Sequence, residues 1–333
     1  MNLIPEKTHF SDQEHAELRA RVKGMIKPGV LSQADIGRQA EVSGPTLSQY
    51  LKGDYAGNND NIAAALNKWI IAQDKAAELQ DRIPQAPTFQ PLQTSKVLTL
   101  KLAYARRAGR MISICGAPGV SKTSTAVQYR HETPRTWMTA IEPATRGVNT
   151  CLVAILEAMG DPEAKGTPQA LARRIVQRAM EAECLLILDE AQELSDQAVE
   201  QLRAINDRAR ANGGRVGIVM MGNQQAYARM SHDGSRPAFA QVSSRMAQRM
   251  WILKPEPADV EMLAHAWAEA NDEHLTPAAL AYCQQIGARP GGLRNIEMSM
   301  EQALMAAWGA EEPLDVDHLK WAFNSFAGLD RAA

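Results

Sequence analysis

The sequence has few aromatic residues, few cysteines and no long apolar run. Aromatic residues make up 5% of its 333 residues, and its four cysteines, at positions 115, 151, 184 and 283, lack the spacing of metal-binding or redox motifs. No apolar run reaches the roughly 18 residues that a membrane-spanning helix needs, and the N-terminus shows no signal-peptide pattern. We therefore expect a cytoplasmic protein with reduced, buried cysteines and no membrane partner.

The bulk composition is that of a globular protein with two or three domains. Hydrophobic residues make up 45% and charged residues 22% of the chain, and the net charge is −2. That balance argues against a uniformly basic nucleic-acid-binding protein. Charge is nevertheless uneven, because residues 201–250 contain eight arginines, no lysine and two aspartates. Such a window suits phosphate contacts, and a solvated surface explains it almost as well.

Residues 83–95 contain three prolines and no charged residue, which indicates a semi-rigid extended linker. The pattern before them is helical throughout, whereas strands and helices alternate after them. We expect a helix-turn-helix DNA-binding domain (1–82), the linker (83–95), a nucleotide-binding α/β domain (96–255) and a helical lid (256–333). The alternation predicts a parallel sheet flanked by helices.

Two short helices joined by a glycine-containing turn are predicted within the N-terminal part. Ser32 can cap the first helix, and Pro45 and Gly53 mark the start and end of the second. This is the pattern of a helix-turn-helix, whose second helix can read DNA. The exposed polar residues of that helix, able to contact phosphates and base edges, would be Thr46, Ser48, Gln49 and Lys52. A small helical bundle for protein contacts fits the same pattern.

A glycine-rich turn follows the apolar run 111–115 and precedes a helical pattern. The sequence Gly-Ala-Pro-Gly-Val-Ser-Lys-Thr is typical of a phosphate cradle, in which backbone N–H groups, Lys122 and the Thr123 hydroxyl face a nucleoside triphosphate and Mg²⁺. The signature has glycine where Ser121 stands, so this serine either crowds the loop or adds a hydroxyl donor. The predicted ATP-binding residues are Gly116, Pro118, Gly119, Val120, Ser121, Lys122, Thr123 and Ser124.

Further polar residues follow two predicted buried strands. Asp189 and Glu190 end the run Leu-Leu-Ile-Leu, 67 residues after Lys122. In phosphoryl-transfer sites such acids hold Mg²⁺ and orient the attacking water, which makes Thr123 and Asp189 the predicted metal ligands and Glu190 the base. Asn223 can contact the same water and the γ-phosphate. Helix capping by the acids and a Gly-Asn turn are the plainer alternatives.

Arginines downstream are candidates for stabilising the γ-phosphate. Arg245 and Arg249, four residues apart, are predicted on one helical face, and Arg294 opens a helix behind Pro-Gly-Gly. For DNA, the loop after the second strand offers Thr145 and Arg146. The long predicted helix that comes later carries Arg173, Arg174 and Arg178. Surface salt bridges and solvated basic faces are the default explanations for these arginines.

The order of these motifs resembles that of AAA+ ATPases. Three runs, at 53–58, 219–223 and 244–249, are also similar to the B transposition proteins of Mu-type phages, and the likeness spans about residues 15 to 325. The resemblance implies an ATP-dependent, largely sequence-nonspecific DNA-binding protein. Such proteins form filaments on target DNA, stimulate a transposase and release the DNA on hydrolysis.

The resemblance also implies roles for individual residues. Asn223 corresponds to the residue called sensor 1, Arg294 to sensor 2, and Arg245 to the arginine finger that reaches a neighbouring subunit. Two other functions stay open. Ser121 favours a nucleotide-sensing DNA-binding regulator that hydrolyses little ATP, and another AAA+ ATPase, such as a helicase loader or a secretion ATPase, shares the motif order. The helix-turn-helix argues against secretion.

Overall fold

The computed structural model describes residues 9–27, 30–80, 83–230 and 246–327, and the chain forms two compact units, Met1–Ile83 and Pro84–Ala333. The first unit is helical. Its helices are α1 (Asp12–Met25), α2 (Gln33–Gln39), α3 (Gly44–Lys52) and α4 (Asn59–Gln80).

Capping residues decide where these helices begin and end. Ser32 forms a capping box with Asp35 at the start of α2, and Gly53 ends α3 with a φ of 90°. Helix α2 ends at Gln39, and two residues further Glu41 takes a left-handed conformation with a φ of 57°. The apolar residues Ile36, Leu47, Leu66 and Ile70 of these helices are all buried in one core.

The second unit contains a five-stranded parallel sheet in the order β2-β3-β4-β1-β5. The strands are β1 (Met111–Gly116), β2 (Thr136–Ala140), β3 (Cys184–Asp189), β4 (Val216–Gly222) and β5 (Met246–Ile252). The central strands β1, β3 and β4 are buried along their whole length, as their continuous apolar sequences require. The predicted parallel sheet flanked by helices is therefore confirmed.

Helices precede, connect and follow these strands. Those of the sheet region are α5 (Gln93–Ala108), α6 (Lys122–Glu132), α7 (Val148–Ala158), α8 (Pro168–Met180), α9 (Asp196–Ala211) and α10 (Gln224–Met230). Four more form the C-terminal part and share a core of their own: α11 (Pro257–Glu269), α12 (Pro277–Gly287), α13 (Gly292–Ala310) and α14 (Val316–Ala327). None of the helices among the described residues has the length and apolar character needed to cross a membrane.

Helix α5 is a feature that the sequence analysis misses. Its first turn contains residues 93–95, which the analysis assigns to the linker. Leu92, at its N-cap, provides no side-chain cap, and the fully buried carboxylate of Asp259 in α11 takes that place. It accepts hydrogen bonds from the Gln93 N–H at 2.6 Å, the Thr94 N–H at 3.2 Å and the Thr94 hydroxyl at 2.5 Å. A cap supplied from 166 residues away leaves no trace in the local sequence.

Strand β5 corrects one expectation about the arginines. Arg249 lies within this strand, so the predicted helical face that it shares with Arg245 is wrong. The strand is at the sheet edge, where Ala247 and Arg249 are its exposed residues. Arg245 itself lies outside the described residues.

All four cysteines are free and buried, as predicted. Burial raises the pKa of Cys115 and Cys184 to about 11 and the pKa of Cys151 and Cys283 to about 12. Their thiols therefore stay protonated at neutral pH and act as small apolar side chains.

Candidate nucleotide-binding site

The predicted phosphate cradle and the predicted acids meet at the carboxyl end of the sheet. Because β4 lies between β1 and β3, the segments that follow these three strands are neighbours, which is where parallel α/β sheets bind ligands. The Thr123 hydroxyl, in the first turn of α6, donates a hydrogen bond to Asp189 Oδ2 at 2.7 Å. The two predicted metal ligands, 66 residues apart in sequence, are therefore in contact.

Lys122 lies over the cradle. Its Nζ donates to the carbonyl oxygens of Gly116 and Ala117 at 3.0 and 2.8 Å, so its ammonium group sits where phosphate oxygens would compete for it. Burial lowers the pKa of Lys122 below its usual value, and the nearby negative charges, that of Asp189 foremost, oppose this shift. Positive charge on Arg294 lowers the pKa slightly further.

Ser121, the departure from the signature, has a defined place. Its φ of 56° is left-handed, a conformation that costs a non-glycine residue ~1–2 kcal/mol. Its Oγ lies 3.2 Å from Ser95 Oγ in α5, and the Thr125 hydroxyl donates a hydrogen bond to that Ser95 oxygen at 3.0 Å. The hydroxyl thus pairs with the side of α5, and the backbone still follows the path that glycine usually provides.

Glu190 is held by a residue that the sequence analysis misses. Its carboxylate accepts a hydrogen bond from Gln192 Nε2, and Gln192 Oε1 accepts one from the Asn223 N–H at 3.3 Å. Gln192 therefore connects the predicted base to the end of β4. The only sign of it in the sequence is its position two residues after the acidic pair, in a short 3₁₀ turn, Ala191–Glu193.

Asn223 caps the helix that follows β4, and its contact with a phosphate or a water stays a prediction. Its Oδ1 accepts from the backbone N–H groups of Gln225 and Ala226, at 2.8 and 3.3 Å, and so caps α10. With the amide oxygen engaged in this way, the NH₂ group is the part of the side chain that can donate to a phosphate or a water.

The first turn of α13 packs directly on the cradle. The Leu293 N–H donates to the Gly119 carbonyl oxygen at 2.8 Å, and a Cβ added to Gly119, whose φ is 71°, would lie 1.8 Å from the Gly291 carbonyl oxygen. Two stretches of backbone can approach this closely only because a glycine stands there. Arg294, exposed in this turn as predicted, lines the same cavity as Lys122.

This cavity, of about 1070 Å³, continues well past the phosphate cradle. Its lining includes Pro87, Phe89 and Gln90 from the predicted linker, together with Trp267 of α11 and Met298 of α13. The segment before α5 is held in place, since the Gln85 N–H donates to Asn271 Oδ1 at 2.7 Å and Leu92 is buried among the C-terminal helices. Residues 84–92 therefore form part of the site as well as joining two parts of the chain.

The residues expected to contact DNA differ in how available they are. On α3, Gln49 and Lys52 are exposed, whereas Thr46 and Ser48 are partly buried and the Thr46 hydroxyl lies 2.7 Å from Ser43 Oγ at the helix cap. The loop 142–147 is closed by Thr145, whose Oγ1 accepts from the Glu142 N–H at 2.9 Å. Arg146 in that loop has an exposed side chain.

Two of the other arginines are engaged inside the protein. Arg174 and Arg178 of α8 both form ion pairs with Asp161, and Arg178 also donates to the Met159 carbonyl oxygen at 2.8 Å. These contacts hold the turn between α7 and α8, contrary to the expectation that both arginines face phosphates. Arg173 remains exposed.

Comparisons with known proteins agree with this architecture. The family described as an AAA domain matches residues 105–230, and the family described as Mu B transposition protein, C terminal, matches residues 244–326. The protein named ATP-dependent target DNA activator B of Escherichia phage Mu is 30% identical over 309 residues, which cover 93% of this chain and 95% of that protein. The chain belongs to the Mu B family.

Two further similarities extend this result. The Mu-like prophage FluMu DNA transposition protein B of Haemophilus influenzae is 30% identical over 276 residues, 82% of this chain and 92% of that protein. The solved ORC2 protein of Aeropyrum pernix has a TM-score of 0.56 at 15% identity, over 73% of this chain and 69% of that one, and so shares the fold. The predicted P-loop ATPase fold of the AAA class is confirmed, while the roles of individual residues in this Mu B family member remain predictions.

Proposed function

We propose that this chain is an ATP-dependent DNA-binding protein that activates target DNA for a transposase. The contact between Thr123 and Asp189 is the observation on which the proposal chiefly rests, in a chain whose relative from phage Mu is named an ATP-dependent target DNA activator. A hydroxyl and a carboxylate in contact, beside the ammonium of Lys122, form a donor set that suits Mg²⁺ and a triphosphate.

Each residue of the cradle then has a chemical task. Thr123 and Asp189 would hold Mg²⁺, which would supply positive charge against the triphosphate. When the nucleotide binds, the Lys122 ammonium group would leave the carbonyl oxygens of Gly116 and Ala117 and donate hydrogen bonds to phosphate oxygens instead. Glu190 leaves Gln192 and accepts a proton from the attacking water, while the NH₂ group of Asn223 orients that water.

Arg294 connects the nucleotide to the C-terminal helices. Its guanidinium would bind the γ-phosphate from the first turn of α13, a helix that already contacts the cradle through Leu293 and Gly119. Loss of the γ-phosphate removes that interaction and weakens the hold on α13. The state of the nucleotide would in this way change the position of the helical lid.

Assembly and DNA binding follow from the same switch. Arg245 reaches the γ-phosphate of a neighbouring subunit, so that ATP bridges protomers into a filament on duplex DNA. The polar face of α3 and the loop that carries Arg146 supply phosphate contacts. Each contact is weak, but a filament sums them, so the nucleotide controls avidity for DNA and the delivery of that DNA to the transposase.

Turnover and imaging test the proposal together. We expect ATP hydrolysis that rises when DNA is added and is lost in Glu190→Gln, together with filaments on long DNA that require Mg·ATP. Arg245→Ala should prevent filament formation, whereas Arg249→Ala, four residues further and within β5, serves as the control. A protein that stays monomeric with Mg·ATP and long DNA contradicts the proposal, as does an Arg245→Ala variant that behaves like the parent.

A nucleotide-sensing regulator with little hydrolysis is the second candidate, and one observation favours it. In this structure the carboxylate of Glu190, the predicted base, is occupied by Gln192. Normal ATP-dependent DNA binding without measurable turnover, with or without DNA, would support this alternative. Closed rings in place of filaments would instead indicate a loader-type AAA+ ATPase.

A further inference from the structure

Two chemically different sets of residues line the nucleotide cavity. Lys122, Thr123 and the first turn of α13 offer groups that suit a polyphosphate and its metal. Phe89, Trp267 and Met298 present mostly apolar surface. An acidic side chain, that of Glu297, lines the same cavity.

Glu297 follows Arg294 by three residues on α13. Residues three apart lie on the same face of a helix, and the rise between them is about 4.5 Å along the axis. Both side chains line the cavity. The order along α13, moving away from its first turn on the phosphate cradle, is therefore a cation, then the carboxylate of Glu297, then Met298 and Glu301.

The carboxylate of Glu297 is unusual for a polyphosphate site. Although it is open to solvent at the cavity surface, the walls around it remove enough water to raise the pKa of its carboxyl group, and only the charge of Arg294 opposes this. No residue of the described chain donates a hydrogen bond to it. A carboxylate that has lost part of its hydration and accepts no hydrogen bond from the described residues is available to accept one from a bound ligand.

ATP supplies donors of two kinds on its nucleoside, the ribose hydroxyls and the exocyclic amino group of adenine. A carboxylate repels phosphate groups, so the parts of the nucleotide that can lie against Glu297 are the ribose and the base, and the base suits the apolar lining residues Phe89 and Trp267. We propose that the Glu297 carboxylate accepts a hydrogen bond from a ribose hydroxyl and so makes the site select ribonucleotides. This inference rests on the proposed ATP-binding function, and it names the part of the substrate that Glu297 recognises.

A site that hydrogen-bonds a substrate hydroxyl discriminates against the analogue that lacks it, because its own acceptor is then left unpaired. The unmodified full-length protein tests this first. Calorimetric titration with Mg·ATP, Mg·2′-deoxy-ATP and Mg·3′-deoxy-ATP should show at least one deoxy analogue bound about tenfold or more weakly than ATP. Equal binding of all three nucleotides overturns the inference, while absence of any ATP binding overturns the proposed function itself.

Variants then assign the discrimination to Glu297. Glu297→Ala should weaken ATP binding while leaving the affinity for the discriminated deoxy analogue nearly unchanged, and Glu297→Gln, which keeps a carbonyl acceptor, should retain part of the preference. Glu261→Gln, on α11 and not among the residues that line the cavity, is the control and should keep the full preference. If Glu297→Ala weakens the binding of all three nucleotides equally, Glu297 acts only through the charge of Arg294, and the inference is wrong. The same variant can be titrated with inosine triphosphate, which lacks the exocyclic amino group. If Glu297→Ala loses a preference for ATP over inosine triphosphate but keeps the preference for the ribose hydroxyl, Glu297 recognises the base and the inference is wrong.

Discussion

The hydroxyl oxygens of Ser95 and Ser121 lie 3.2 Å apart, across the contact between α5 and the phosphate cradle. Ser121 stands where the P-loop signature has glycine, and its left-handed backbone keeps the loop in the shape that glycine would allow. Because its hydroxyl pairs with Ser95, the serine occupies space beside the helix and leaves the concave face of the loop to the backbone N–H groups. The departure from the signature is therefore compatible with both nucleotide binding and turnover.

Replacement of Ser121 tests this interpretation. Ser121→Gly and Ser121→Ala should both hydrolyse ATP within about threefold of the parent rate, since a hydroxyl turned toward Ser95 contributes less than 1 kcal/mol to the transition state. Ser121→Gly should be the more stable of the two by about 1 kcal/mol, because alanine retains the left-handed strain. Steady-state turnover and denaturant unfolding measure the two effects. A tenfold loss of turnover in both variants would show that the hydroxyl contacts the phosphates.

The contact of Gly119 with the start of α13 leads to a second prediction, for which the chain offers a matched control. Gly119→Ala should reduce ATP affinity at least tenfold and destabilise the protein, because its Cβ would meet the Gly291 carbonyl oxygen at 1.8 Å. Gly160 also has a positive φ, 85°, but nothing lies within 4 Å of its Cβ position. Gly160→Ala should therefore show only the backbone cost, ~1–2 kcal/mol, with normal nucleotide binding. Equal effects of the two substitutions on ATP affinity would mean that the contact with α13 is dispensable.

The elements of the second unit that carry local signals were predictable from the sequence. The apolar run before Gly116, the run before Asp189 and that before Asn223 each predict a buried strand followed by polar residues, and parallel strands bring their carboxyl ends together. The contact between Thr123 and Asp189 follows from that rule alone. Helix ends were also predictable where Ser, Pro or Gly marks them, as Ser32, Pro45 and Gly53 do for α2 and α3.

Features that depend on distant partners were not predictable. The residues before α5 look like a linker because of their prolines, and only packing against the C-terminal helices makes them a wall of the cavity. Gln192 gives no local sign of its bond to Glu190. Arg174 and Arg178 look like a basic face until Asp161, in the preceding turn, is seen to neutralise them. In each case the partner is set by tertiary structure and the local pattern is ambiguous.

The buried cap of α5 leads to a stability prediction. Asp259→Ala should lower the free energy of unfolding by about 2–4 kcal/mol, because it leaves the Thr94 hydroxyl and two backbone N–H groups buried without an acceptor. Asp317→Ala is a suitable control, since Asp317 also lies in the first turn of a helix but its side chain is 82% exposed, so that its loss should lower the stability far less. Urea denaturation of both variants measures the difference. A cost for Asp259→Ala as small as that of the control would show that α5 does not need this cap.

Substitution of Arg146 and of Arg178 distinguishes an arginine that contacts DNA from one that forms an internal ion pair. Arg146→Ala should weaken DNA binding and reduce the slope of log affinity against log salt concentration by about 1, as the loss of one phosphate contact would. Arg178→Ala should lower the unfolding temperature and leave that slope unchanged, because its guanidinium is bonded to Met159 and Asp161. Fluorescence anisotropy at several salt concentrations provides the slopes. An unchanged slope in Arg146→Ala would exclude this loop from the DNA interface.

The lowered pKa of Lys122 predicts how nucleotide affinity depends on pH. The protonated lysine is the form that attracts phosphate, so ATP binding raises the pKa of Lys122 again and takes up a proton wherever the free protein has lost it. Affinity should therefore fall as the pH rises through the lowered pKa of Lys122, beginning below the value of 10.5 expected for an ordinary lysine. The logarithm of the ATP affinity should then fall by close to one unit per pH unit. Calorimetry in buffers of different ionisation enthalpy should detect the proton uptake. Arginine keeps its charge throughout this range, so Lys122→Arg should bind ATP more weakly, through its different shape, but without the slope. The same slope in the arginine variant would assign the titration to another group.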